Sequence, residues 1–215
     1  MSALKFFASL FLFPFLLAPA KAQYTVAPIG ACDASGVSDA VKNVLEPNGY
    51  QVKDASGAPY AEVWLRKGIP SDKNAPSAGG ADFTSIPLST LIGVIRFDKD
   101  TNDFRGNKLR AGVYTMRYQL QPEDGNHQGA SPRRDHLVLS LAADDTDPNA
   151  NPNFDALIKQ SEKASGINHP LVLFLALPDP SAKFPSIEHV SSRDMLDVQN
   201  GSLQLGITVA GKAEE

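Results

Sequence analysis

A chain of 215 residues with 24 acidic against 20 basic side chains is poorly suited to a polyanion. Nucleic acid asks for a basic face, and an anionic membrane surface asks for a polybasic one. Cys32 is the only cysteine, which excludes an intramolecular disulfide, so the fold must rest on a hydrophobic core, which a chain of this length can bury.

The first 22 residues read as a signal peptide. Lys5 supplies the positive start, Phe6 to Leu17 form an apolar stretch broken only by Ser9 and Pro14, and Ala20-Lys21-Ala22 is an A-x-A cleavage site. The stretch is shorter than the roughly 20 residues of a membrane span. Cys32 lies too far behind it to serve as a lipidated residue. Cleavage before Gln23 leaves 18 basic and 24 acidic residues, a formal charge of −6. The expectation is an exported protein, periplasmic or extracellular, with no membrane span after cleavage and a single domain over 23–215.

Strand signals follow in order. "GYQVKD" (49–54) is weak, whereas "AEVWLR" (61–66) alternates and "STLIGVIRF" (89–97) is apolar on both faces, as in a strand covered on both sides. Between them, 66–87 has no periodicity, three Pro and three Gly, and reads as a long mobile loop. "GVYTMRYQL" (112–120) places Tyr114, Met116, Tyr118 and Leu120 on one face and Val113, Thr115, Arg117 and Gln119 on the other. "HLVLSL" (136–141) continues the pattern, with Asp135 on the leucine face and His136 opposite. An adjacent Asp-His pair on an unbulged strand therefore does not act as one site. "LVLFLAL" (171–177), "MLDVQ" (195–199) and "LQLGITV" (203–209) complete the set.

One helix is expected at about 152–165, with Asn151 or Asn153 as cap, Pro152 in the first turn and Gly166 as the stop. Short strands, 16 Gly, 16 Pro and one helix predict a mostly β protein, an antiparallel β-sandwich of immunoglobulin or jelly-roll type.

"QPEDGNHQGASPRRDH" (121–136) is the stretch that looks most like a site. Fifteen residues, 121–135, join two consecutive strands where two to five would do. His127 from this loop, Asp135 at its end and His169 in "GINHP" would give two imidazoles and a carboxylate, a donor set suited to a transition metal such as Zn, Fe or Cu. Bracing of the loop by histidine hydrogen bonds is the structural alternative, since no H-x-H or H-E-x-x-H spacing is present. Asp145, Asp147, Asn149, Asn151 and Asn153 alternate as in a calcium loop. Its sixth and twelfth places hold Ala150 and Ala156 instead of Gly and Glu, which favours turns leading into a capped helix. Trp64, Tyr60 and Tyr50 would form a sugar-stacking platform if exposed, although Trp64 has much area to bury. There is no G-x-S-x-G and no phosphate loop. No catalytic residue and no organic cofactor are assigned.

The ordered pieces "GYQVKDASG", "AEVWLRKGIP", "STLIGVIRF", "DFRG", "AGVYTMRY", "QPEDGNHQGASPRRDH" and "NHP" resemble a group of uncharacterised exported bacterial proteins carrying a DGNHxG loop. The resemblance implies a bacterial source and one β-rich domain, and carries over no catalytic residues. The functional expectation is a binding or accessory module whose partner is a protein, glycan or small-molecule ligand. A metal-binding protein or metalloenzyme using His127, Asp135 and His169, and a carbohydrate-binding module, are the alternatives.

Overall fold

The computed structural model describes residues 24–124, 127 and 131–211. The expected signal peptide, 1–22, lies outside these residues, as do Gly125, Asn126, Gln128, Gly129 and Ala130 of the long loop.

The chain is mostly β and antiparallel, as the alternation implies. The first half opens with β1 (Thr25–Ile29), a short helix α1 (Asp39–Val44), β2 (Gly49–Lys53), β3 (Pro59–Leu65) and β4 (Leu91–Phe97). A small hairpin of β5 (Thr101–Asn102) and β6 (Lys108–Leu109) precedes the long pair β7 (Gly112–Leu120) and β8 (Asp135–Leu141). Helix α2 (Phe154–Ser165) separates β8 from β9 (Leu171–Ala176), and β10 (Ser186–Val190), β11 (Arg193–Asn200) and β12 (Leu203–Gly211) form a closing meander.

Ten of these strands make one sheet in the order β1-β2-β3-β4-β7-β8-β9-β12-β11-β10. Its two edge strands, β1 and β10, approach each other without pairing. The result is a nearly closed barrel, where the sequence led us to expect a sandwich. An inward-outward alternation is common to both architectures. What separates them is whether the last strand returns to the first, a long-range fact with no local signal.

Both faces of the sheet are covered. The barrel interior holds Val63, Leu65, Ile95, Tyr114, Met116, Tyr118, Leu137, Leu139, Leu173, Leu205 and Ile207, among others. Ile69, Phe83 and Ile86 join them, so the 66–87 connection is packed against the core where a mobile loop was expected. Its three apolar anchors are irregularly spaced and leave no periodic trace. On the outside, α1 contributes Val41 to a cluster with Leu45, Trp64, Leu91 and Val94. Helix α2 contributes Leu157 to another with Phe104, Val138, Val172, Phe174 and Met195.

Helix α2 begins where Asn153 accepts a hydrogen bond from the Ala156 N–H and ends at Gly166, whose φ of 74° is the left-handed cap conformation. The second helix, α1, was not expected. With six residues and a Ser38 cap accepting from Val41, it is too short for periodicity to show.

Candidate functional site

A pocket of about 250 Å³ opens on the outer face of the barrel, beside the first turns of α2. Its floor comes from the paired strands β7 and β8, where Gln119 and His136 are register partners. Val138 and Val172 continue the floor, Phe154 and Ile158 form the α2 wall, and Leu120, Gln121 and Pro122 the opposite lip. Arg105, Asp124, His127, His169 and Pro170 complete the lining.

The period of two explains why these side chains meet. Asp135 points into the barrel and is fully buried, so His136 must face out. Three of the four histidines of the chain, 127, 136 and 169, line this one pocket. In each, Nδ1 is engaged by an oxygen: Asp124 Oδ1 at 2.5 Å for His127, the Arg134 carbonyl at 2.9 Å for His136, and the Pro170 carbonyl at 2.7 Å for His169. A carbonyl only accepts, so Nδ1 of His136 carries the proton and its Nε2 is left as the acceptor. Burial pushes the His136 imidazole below its ordinary pKa and keeps it neutral.

The neighbours of His136 hold its ring in place. Phe104 and Phe174 stack on each other at 5.2 Å, and both meet the imidazole edge-on at about 6 Å. Phe104 is placed by the β5–β6 hairpin, which is tied to β9 through Asp103. The buried Asp103 carboxylate accepts from the N–H groups of Arg105, Asn107 and Val172 and from the Asn107 amide. Asn107 in turn reaches His169 Nδ1 at 3.1 Å. The hairpin, the strand start and the 169 imidazole therefore form one braced wall.

The expected trio is divided by the sheet. His127 and His169 share the pocket. Asp135 is on the other face, where Oδ2 accepts from the Asp82 N–H at 2.8 Å and Oδ1 accepts from the Phe83 N–H at 3.0 Å and the Tyr118 hydroxyl at 2.7 Å. Its carboxylate thus holds the 66–87 connection to the barrel. Among the described residues, no group of three or more His, Cys, Asp or Glu side chains is placed to hold a metal ion.

Four of the five residues of the calcium-like alternation are engaged within the protein. Asp145 pairs with Arg117, Asp147 accepts from the Asn149 N–H, Asn149 accepts from Arg66, and Asn153 caps α2. Trp64 is 1% exposed and donates its indole N–H to the Gly30 carbonyl, so it presents no stacking surface. Tyr50 and Tyr60 are half-buried against the core. Cys32 is half-buried, and desolvation raises its thiol pKa, away from the thiolate a nucleophile needs.

Sequence reasoning did not single out Gln119, His136 or Arg105 as members of a site. The outward phase of His136 was legible. That the helix beginning 18 residues on, at Phe154, would roof that face was not. Compared with family models, with curated proteins and with solved structures, the chain gives no match.

Proposed function

We propose that this protein is an exported binding protein for a small molecule, with the pocket beside α2 as its site. The observation that carries the reading is the lining itself. An apolar wall of Leu120, Pro122, Val138, Phe154, Ile158 and Val172 surrounds a few convergent polar groups, the usual composition of a ligand site. The export part rests on the first 22 residues and on the resemblance to exported bacterial proteins. No helix among the described residues is long and apolar enough to cross a membrane.

The test is a screen of single-ring compounds by ligand-observed NMR, against the parent and an Ile158→Trp variant that fills the pocket from α2. Binding to the parent and its loss in a folded variant support the reading. Equal binding to both places the ligand elsewhere and overturns it.

Engagement of Nδ1 by a carboxylate at His127, by a carbonyl at His136 and, in the tautomer that donates to Pro170, by a carbonyl at His169 favours a second reading, a transition metal held by imidazole Nε2 atoms. Metal-bound histidines regularly donate the other ring N–H to a carboxylate or carbonyl. In this structure the set would be His127, His136 and His169, with Asp135 left out, and the rings would have to close in to share one ion. Stoichiometric Zn, Cu or Fe in the purified protein, lost in His136→Leu and His169→Leu variants, would select it. Metal-free protein whose melting temperature ignores added Zn²⁺ would remove it.

A further inference from the structure

The polar floor of the pocket has a defined sense, and this deepens the small-molecule reading on which it rests. Gln119 and His136 sit side by side on β7 and β8, only 4% and 7% exposed. The Gln119 side-chain oxygen accepts from the Leu120 N–H at 3.2 Å, which orients the amide and leaves its NH₂ as the free end. His136 spends its Nδ1–H on the Arg134 carbonyl and leaves Nε2 as a bare acceptor. Neither the Gln119 NH₂ nor His136 Nε2 has a hydrogen-bond partner among the described residues. A donor and an acceptor, both largely withdrawn from water, thus lie next to each other at the base of an apolar pocket.

We propose that the pocket recognises a neutral, hydroxyl-bearing small molecule of about one ring. Its O–H would donate to His136 Nε2 while its oxygen accepts from the Gln119 amide. A hydroxyl answers both groups from one atom. A hydrocarbon leaves both unpaired, and a carboxylate sets its negative oxygen against the imidazole lone pair. The volume of about 250 Å³ lies just below the roughly 300–1,000 Å³ of sites for drug-sized ligands, which suits a single ring. Arg105, at the exposed rim, is the one Arg or Lys among the described lining residues and argues for an anion, and the experiment sets it directly against the floor.

The experiment measures the affinity of phenol, toluene and benzoate for the parent protein by calorimetry and NMR. Phenol is expected to bind about ten- to hundredfold more tightly than toluene, the value of one or two desolvated hydrogen bonds. His136→Leu and Gln119→Met should erase that preference by weakening phenol, with toluene bound at least as tightly as by the parent. His136→Gln, which returns an oxygen acceptor near the Nε2 position, should restore part of it. Toluene binding as tightly as phenol overturns the hydroxyl inference and leaves the small-molecule reading standing. Benzoate binding more tightly than phenol overturns it in favour of an anion site at Arg105. Failure of phenol, toluene and benzoate alike to bind overturns the inference together with the reading beneath it. The comparison of ligands on the parent needs no variant to fold.

Discussion

Arg117 and Asp145 form a bidentate ion pair buried between β7 and the segment that leads into α2. Nε donates to Oδ2 at 2.7 Å and Nη2 to Oδ1 at 2.8 Å. The remaining three guanidinium N–H groups are met by the carbonyls of Ser89, Asp147 and Ala150, each at 2.8 Å. All five donors of the side chain are therefore satisfied, and the Thr115 hydroxyl adds a bond to Asp145. The pair fixes the path of the segment that carries α2 to the pocket.

Removing either partner strands the other in a site closed to water. Arg117→Met and Asp145→Leu should each cost about 3–5 kcal/mol in urea unfolding, whereas the double variant should cost clearly less than their sum. Additive losses would show that the pair is not a coupled unit.

Asp135 performs the equivalent task for the 66–87 connection. Asp135→Asn keeps one acceptor oxygen and turns an NH₂ toward a backbone N–H. The expected loss is about 1–3 kcal/mol, with hydrogen exchange accelerated at the amides of Asp82 and Phe83. Tyr118→Phe removes only the hydroxyl donor and should leave exchange at those two amides near that of the parent.

These two anchors also show what the sequence could reveal. The period of two in 112–120 predicts β7 to the residue, that in 136–141 assigns Asp135 to the core face, and both assignments hold. The opposite face, with Thr115, Arg117 and Gln119, reads as a polar surface by the same rule. Thr115 and Arg117 are buried because Asp145, 28 positions after Arg117, folds back over them. Alternation reports which side a residue is on, and says nothing of what later covers that side. For the same reason His127 and His169 could be paired in advance while His136 and Gln119, both on strands, were passed over.

Asp197 on β11 is 1% exposed, and neither of its oxygens finds a well-formed hydrogen bond. Burial pushes its pKa up to about 7, the negative charges of Glu188 and Asp179 add to the rise, and the Ser186 hydroxyl offsets part of it. An unfolded Asp titrates near 3.9, so the folded state holds the proton more tightly. That contribution is full below about pH 4 and is lost as pH rises through about 7. Asp197→Asn should abolish this slope and be more stable than the parent at pH 8, by on the order of 2 kcal/mol. Urea unfolding at pH 5 and pH 8 checks it. A parent whose stability does not fall between the two would contradict the assignment.

Gly49 opens β2 directly beside the single tryptophan. A Cβ there would stand 2.4 Å from Trp64 Cδ1 and 2.8 Å from the Val63 carbonyl oxygen, which the sheet holds in place. Gly49→Ala should therefore cost about 1–3 kcal/mol, the usual range for overpacking. The displacement of the indole from Gly30 should appear as a change in tryptophan emission, since Trp64 is the only emitter of its kind.

His136 gives a pH dependence of the opposite sense to Asp197. Burial lowers its folded pKa, with Arg105 and His127 acting in the same direction, and the Arg134 carbonyl and Asp135 acting against it. An unfolded His titrates near 6.5. The stability this group contributes is present above that value and is lost as pH falls through the depressed folded pKa, because the unfolded chain then binds the extra proton. His136→Gln should flatten the acid limb of the stability profile and leave the alkaline limb, to which Asp197 contributes, unchanged. An NMR titration of the His136 imidazole C–H resonance should show it shifted below 6.5. Protonation also converts Nε2 from acceptor to donor, so ligand affinity should fall over the pH range in which that resonance moves. If affinity were flat across that range, Nε2 would not be facing the ligand, even if the stability profile behaved as expected.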